Sequence, residues 1–355
     1  MRIFEYNPNL GTFSLGFEHF PHNEVVEVAN LDKNAEFSYN NTHKQWFLSS
    51  FDSIKSYETQ KDYDLAILNP NIGKKIGRRG KKNFKQDDLD DCFVFLEREK
   101  PKFTIITMDL HSVPLLNTAD DYVRDGFNQL SKDIVIEKLQ QMGYKAILVA
   151  IDEANYGIAT HKGFSFYFGV PKNFDLKFPK GAYNKYGRGN HYRYRSIAEA
   201  ICDLGDLGEW SAYRSKPRNT FQMQMRGKSE RTTWHFHKRA QTEAQIGTIS
   251  KILQGSSASK TKDVRQNHGY NRPKWNQICP TMDEHFYLVS DSAYSIHPIY
   301  DRTFTIREGM RIMGLPDAVS LDLKVTQNDA AELVVNSIAP VMGEASAIAL
   351  SAIAM

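Results

Sequence analysis

The sequence predicts an α/β protein: a parallel sheet covered by helices, joined to a smaller, irregular and basic second domain. Two observations carry this. Short apolar runs alternate with helical periodicity up to about residue 178, the pattern of strand–helix units in which a parallel sheet is wrapped on both faces. Near Pro179 the composition then changes to Arg, Lys, His, Tyr, Gly and Ser with weak periodicity, until a regular pattern resumes at Thr303. Residues 1–178, completed by 325–355, are therefore expected to form the sheet domain, and 179–324 the second.

In chain order the strands are expected at Arg2–Tyr6, Val25–Ala29, Leu65–Leu68, Phe103–Thr107, Lys145–Ala150 and Phe164–Phe168. Helices are expected at Leu15–Phe20, Asn34–Tyr39, Asp88–Arg98 and Asp121–Met142. Ligands of such sheets sit at the carboxyl ends of the strands. Gly255–Lys262 reads as a flexible loop. The apolar tail Ala345–Met355 is about half of the roughly 20 residues a membrane span needs, so it is expected to be a closing helix packed on the first domain.

Of the 355 residues, 41% are hydrophobic and 25% charged, which fits a globular chain and argues against extensive disorder. The net charge is only +3, so charge distribution must decide whether nucleic acid is a partner. Cys92, Cys202 and Cys279 are widely separated, with no CxxC spacing. That predicts reduced thiols in a cytoplasmic protein, with neither a disulfide frame nor a zinc site. The amino terminus, MRIFEYNPN, lacks the apolar run of a signal peptide.

Several separated segments resemble cytosine-C5 DNA methyltransferases. Arg302–Asp317, RTFTIREGMRIMGLPD, is similar to the family's RxLTxREAxRLQGFPD segment, with Thr305, Arg307, Glu308, Arg311, Gly314, Pro316 and Asp317 at matching positions. Leu10–Lys33 resembles the glycine turn, helix and second strand of the cofactor domain. Lys100–Pro101–Lys102, Tyr156–Gly157–Ile158, Ser196–Leu204 and Pro280–Thr281 follow in the family's order. The resemblance implies a Rossmann-like methyltransferase domain and a smaller, irregular target-recognition domain, with DNA in the cleft between them.

The resemblance also shows which chemistry is missing. The family attacks C6 of a flipped cytosine with a cysteine thiolate, a nucleophile suited to neutral pH. After the strand ending at Leu68 this chain reads Asn69–Pro70–Asn71–Ile72, so the cysteine position falls on Asn71, or on Ile72 with a slip of one. The glutamate that binds the cytosine edge falls on Thr107 or Met108. Asp109 beside them is either a displaced acid or a cap or loop carboxylate. The Gln-x-Arg-x-Arg pattern falls on Thr160 to Phe164, where Lys162 alone keeps a charge and is a poor substitute for planar arginine. No catalytic residue is therefore expected.

For the cofactor, the resemblance implies Gly11, Asp32 and Asp52 as contacts. Asn7 and Asn9 stand where the Phe-x-Gly-x-Gly turn has Phe and its first Gly, and Asn30 replaces the ribose-binding acid. Gly343–Glu344 replaces a glycine–asparagine pair. No cofactor is expected, and any retained S-adenosylmethionine binding is expected to be weakened.

What remains points to binding. Lys180–Arg195 and Arg214–Arg239 supply Arg188, Arg193, Arg195, Arg214, Arg218, Arg226, Lys228, Arg231, Lys238 and Arg239, interleaved with Tyr, His and Trp234. Such mixtures suit phosphate and groove contacts, although solvated loop charges have the same composition. Gly187–Gly189 and Gly227 either allow close backbone approach to a duplex or are turns. His235 and His237 alternate on a strand-like run that reads as a DNA-facing or surface strand rather than a metal site. The expected partner is double-stranded DNA, with an active methyltransferase or nuclease subunit as a second candidate. Two other readings stay open: an enzyme with a remodelled site acting on a flipped base through Asn69, Asn71, Asp109 and Lys162, and a protein-interaction scaffold.

Overall fold

The computed structural model describes the whole chain except residues 51–52, 71–85, 110–125, 205–212, 229–240, 262–269, 289–294, 323 and 352–355. It gives backbone alone at 86–87, 109 and 126–133. Six strands form the central sheet: β1 (Arg2–Tyr6), β2 (Glu24–Ala29), β3 (Leu65–Leu68), β4 (Phe103–Asp109), β5 (Lys145–Asp152) and β6 (Gly163–Val170). Their order is β2-β1-β3-β4-β6-β5. β1 to β4 pair in parallel, as expected, whereas β6 pairs antiparallel with both β4 and β5. The sheet is therefore mixed. Apolar runs predict a strand but not its direction, and the ten residues 153–162 between β5 and β6, with a 3-10 turn at Glu153–Tyr156, fall short of the dozen or so a parallel crossover needs.

Side-chain alternation divides the strands between two cores. Ile3, Leu65, Ile67, Phe103 and Ile105 face one core, which also takes α1 (Thr12–Glu18), α9 (Gln327–Asn336) and α10 (Pro340–Ser351). Phe4, Tyr6, Ala66, Leu68, Ile106 and Met108 face the other, against α3 (Gln86–Glu99) and α4 (Gly126–Gln141). The remaining helix of this half, α2 (Lys33–His43), is started by the Asp32 cap. α10 meets α1 at bare backbone: a Cβ on Gly16 would lie 2.0 Å from Pro340 O, and one on Gly343 would lie 1.9 Å from Phe13 O. Gln327–Ser351 is long and apolar enough to cross a membrane, but 78% of its apolar window is buried inside the protein, as in a core helix pair.

The second half is built on short elements: strands β7 (Tyr183–Asn184) and β8 (Tyr192–Arg193), helices α5 (Ile197–Ile201), α6 (Thr220–Arg226) and α7 (Glu243–Ile249), strands β9 (Ser256–Ser257) and β10 (Asn271–Arg272), then helix α8 (Ile306–Ile312). With so little regular structure, a buried ionic frame centred on α8 holds them. Thr305 and Glu308 form a capping box at its start, and Arg302 grips both Glu308 oxygens at 2.8 Å. Arg311 binds Asp317 at 2.6 and 2.7 Å and Asp203, beyond α5, at 3.2 and 3.3 Å. Burial alone would raise the Glu308 pKa, but the Arg302 charge, its hydrogen bonds and that of the Thr305 N–H outweigh it and hold the carboxyl at about 2. The segment most similar to the methyltransferases is thus a structural clamp joining α5, α6 and α8.

Candidate functional site

The turn after β1 runs Asn7–Pro8–Asn9–Leu10–Gly11, and Asn7, Asn9 and Gly11 all have positive φ, at 51°, 55° and 69°. Asparagine tolerates the left-handed region better than other side-chain-bearing residues, so this backbone keeps the shape of a glycine turn while carrying two amides. Those amides are used internally. Asn7 Nδ2 donates to Asn69 O at 2.7 Å, and Asn9 Nδ2 donates to Leu333 O at 2.9 Å and Ser337 Oγ at 3.2 Å. At Gly11 an added Cβ would sit 2.4 Å from His43 Nε2 and 2.5 Å from the Tyr39 ring.

Behind this turn lies a buried polar cluster. Glu5 Oε2 accepts from Ser14 Oγ at 2.5 Å and Tyr39 OH at 2.7 Å, while Glu5 Oε1 is buried without a hydrogen-bond partner among the described residues. His43 bridges Glu18, at 2.7 Å, to Gly11 O, at 3.1 Å. Burial raises the Glu5 pKa from 4.5 to about 7, against the lowering effect of His43 and the two hydroxyls.

The carboxyl edge of the sheet is closed by amide and hydroxyl groups. Thr107 Oγ1 donates to Asn69 Oδ1 at 2.5 Å, and Asn69 Nδ2 donates to Tyr6 O at 3.1 Å. β1, β3 and β4 are thus laced together where the family's base-binding acid falls, and Met108 turns into the core under the sheet. Asn71 and Ile72 lie outside the described residues. Asp109 is a strand residue opposite Phe164, not a cap, and its side chain is outside the description.

Thr160 and Lys162 are both buried. Thr160 Oγ1 donates to Pro280 O at 3.0 Å. Lys162 Nζ donates to Val335 O and Ser337 O, each at 2.5 Å, and lies 4.7 Å from the Phe164 ring. As a candidate polar group of a remodelled site Lys162 is corrected: its ammonium is committed to the carboxyl end of α9. Sequence reasoning missed the neighbouring pair, in which His161 Nδ1 meets Asp152 Oδ2 at 2.6 Å, edge-on to Tyr194 at 5.2 Å. Only the nine-residue separation across β5 and β6 could have signalled it, and that required knowing they form a hairpin.

Asp32 is the exposed N-cap of α2, with Oδ1 accepting from Asn34 N at 2.7 Å, and Asp52 lies outside the described residues. No cysteine lies at the sheet edge. Cys92 and Cys279 are fully buried in the cores, where burial pushes both thiols up. Cys202 ends α5, its sulfur accepting from Gln222 Nε2 at 3.2 Å.

Two of the basic residues expected on DNA belong to the interior. Arg195 is 7% exposed, donates to Gly157 O at 2.7 Å and Tyr183 OH at 2.9 Å, and stacks 4.3 Å over Phe221. Arg226 is 9% exposed, paired with Asp203 at 2.6 Å and 3.5 Å over the Tyr213 ring. Both are corrected from phosphate contacts to structural cations. Arg188, Arg193, Arg214, Arg218 and Lys228 are exposed, and none has an ion pair among the described residues. Arg231, Lys238, Arg239, Trp234, His235 and His237 lie outside the description.

Arg188 and Arg193 share a loop with the outward tyrosines Tyr186 and Tyr192, 66% and 69% exposed. Asn184 Oδ1 shapes the loop by accepting from the N–H groups of Tyr186 and Gly187, and Gly187 and Gly189 have positive φ, so this glycine pair forms turns. Metal-type donors converge at Asp283, Glu284 and His285, three consecutive half-buried side chains, a grouping common without an ion.

The model of the C-5 cytosine-specific DNA methylase family matches residues 122–352. Type II methyltransferase M.DdeI of Desulfomicrobium norvegicum is 25% identical over 350 residues, covering 89% of this chain and 79% of that protein. Among solved structures, a putative DNA modification methyltransferase encoded within an E. coli prophage superposes with a TM-score of 0.74 at 15% identity, over 99% of each chain. The Dnmt2 methyltransferase of S. pombe follows at 0.63 and 14%, over all of both chains. The matched fold agrees with the mixed α/β sheet. This chain belongs to the C-5 cytosine-specific DNA methylase family.

Proposed function

We propose that this chain is a catalytically silent member of its family that binds duplex DNA, either as the recognition subunit of an active methyltransferase or nuclease or by masking sites. The observation that carries the reading is the sheet edge. Thr107 and Met108 offer no acid, Thr160 and Lys162 are tied into the interior, and all three cysteines lie elsewhere. Nucleophilic attack and general-acid assistance are each worth orders of magnitude in rate, so their joint loss removes the family reaction. The family's cofactor, S-adenosylmethionine, fits these residues poorly. Asn9 replaces one glycine of the turn and Asn7 its phenylalanine, and their amides span to the residue after β3 and to α9.

Arg188 and Arg193, flanked by Tyr186 and Tyr192, form the best-exposed basic and aromatic surface among the described residues. If the five exposed cations all meet phosphates, affinity falls with salt at a log–log slope of about −4.5. Gel-shift titration over a salt series tests this. Replacing Arg188 and Arg193 together by alanine flattens the slope by about 2. Salt-insensitive binding, or a slope unchanged in the double variant, refutes it.

A second reading is favoured by one observation, the Asp152–His161 pair. Asp152 accepts from His161 Nδ1 and leaves Nε2 as a basic nitrogen on a half-exposed ring, the arrangement of an oriented general base. A new modified nucleoside in treated DNA, lost in His161→Gln, would favour this remodelled enzyme.

A further inference from the structure

Away from the sheet edge, a recess of about 250 Å³ opens among α5, the loop before α6, the loop around Trp275 and the loop before α8. Its inner wall is apolar, with Ile201 and Leu204 both buried. Its side walls are aromatic: Trp275, His297 and Tyr300, with ring centres 5.7 Å apart for the first pair and 4.6 Å for the second. Hydrogen bonds position the His297 ring. His297 Nδ1 accepts from the Ile299 and Tyr300 N–H groups at 3.0 Å each, which leaves Nε2 carrying the proton, 3.5 Å from Glu308.

Two exposed guanidiniums also line the recess. Arg214 spends one donor on Tyr300 OH at 2.9 Å, and the Arg218 side chain has no hydrogen-bond acceptor among the described residues. The single carboxylate in the lining, Glu308, is neutralised by Arg302 on both oxygens, so the mouth keeps a positive balance. An arginine fork suits phosphate, and flat rings suit a base. The volume lies just under the roughly 300 Å³ at which small-molecule pockets begin, so it suits one nucleotide better than a dinucleotide.

We infer that this recess is a nucleotide site, taking the phosphate of a nucleoside monophosphate unit on Arg214 and Arg218 and its base against Trp275 and Tyr300, with the buried His297 ring packed behind them. The unit is either a free nucleotide or one residue of a DNA strand, since both present the same phosphate and ring. The site is separate from the Arg188–Arg193 loop and does not require duplex binding there.

Cys202 lines the same recess and is the accessible cysteine of the three, Cys92 and Cys279 being buried, so its alkylation reports occupancy. The native protein is treated with iodoacetamide and Cys202 modification is followed by mass spectrometry. Parallel arms contain dAMP, dCMP, inorganic phosphate or a short single-stranded oligonucleotide. At a nucleotide concentration roughly ten times its Kd, alkylation slows about tenfold, and Arg218→Ala abolishes the protection.

Arg218 is exposed and its backbone N–H, which binds Gln222, is retained in that variant, so the fold stays intact. Protection by free nucleotides identifies a mononucleotide site, and protection by the oligonucleotide alone identifies a strand residue. Protection that phosphate alone reproduces, protection that survives Arg218→Ala, or none in any arm overturns the inference. The Arg188/Arg193 double variant separates the two claims: it weakens duplex binding and leaves Cys202 protection by nucleotides unchanged.

Discussion

Replacing Glu5 by glutamine should make the protein more stable at pH 8 and nearly neutral in effect at pH 4. In the folded chain the Glu5 carboxyl is fully buried, and burial raises its pKa from 4.5 to about 7. His43, Glu18 and Tyr39 are the titratable groups around it. Below pH 4.5 the carboxyl is protonated in both folded and unfolded chains, and its full contribution is present. As pH rises from 4.5 to 7 the unfolded chain releases the proton while the folded chain holds it, so stability falls. Above 7 the loss is complete, at about 3 kcal/mol for this rise in proton affinity.

Glutamine keeps an oxygen for Ser14 and Tyr39 and carries no charge at any pH, so Glu5→Gln escapes the loss. Urea unfolding of both proteins from pH 4 to pH 8 measures the difference. The stability gap should open across pH 4.5–7 in favour of the variant. Parallel curves, or a wild type that gains on the variant with rising pH, would refute the desolvation argument.

Two further outcomes follow from the packing. Asp203→Ala strips a buried carboxylate from Arg226 and Arg311 and should cost about 3–5 kcal/mol, measured by urea unfolding, with Arg311 still held by Asp317. Gly343→Ala drives a methyl group against the Phe13 carbonyl at the α1–α10 contact, at or above the roughly 1–3 kcal/mol of ordinary overpacking, and should show as a lowered Tm.

The sheet was legible where local pattern suffices. β1 and β3 match their expected ranges residue for residue, because a short apolar run bounded by polar turns has few alternatives. The reversal at β6 was not legible, since Phe164–Phe168 reads the same in either direction and only its pairing with β4 and β5 sets the sense.

In the second half, charge density misled at two positions. Arg195 and Arg226 sit in stretches that look uniformly solvated, yet Gly157 and Asp203 from elsewhere in the chain, with Tyr183 from the start of the same stretch, draw them inside. Burying a guanidinium is tolerable only when such partners converge, and sequence spacing does not announce convergence. The Asn7–Asn69–Thr107 lacing was half legible. The loss of glycine, phenylalanine and acid could be read from the resemblance, but not that the replacements would bond to one another across three strands.

The proposed silence at the sheet edge faces its most direct test in methyl transfer itself. Purified protein is incubated with a random-sequence duplex library and methyl-labelled S-adenosylmethionine, and the DNA is digested to nucleosides and analysed for 5-methylcytosine. The account predicts no 5-methylcytosine above a protein-free control. Labelled 5-methylcytosine that depends on the protein would contradict it.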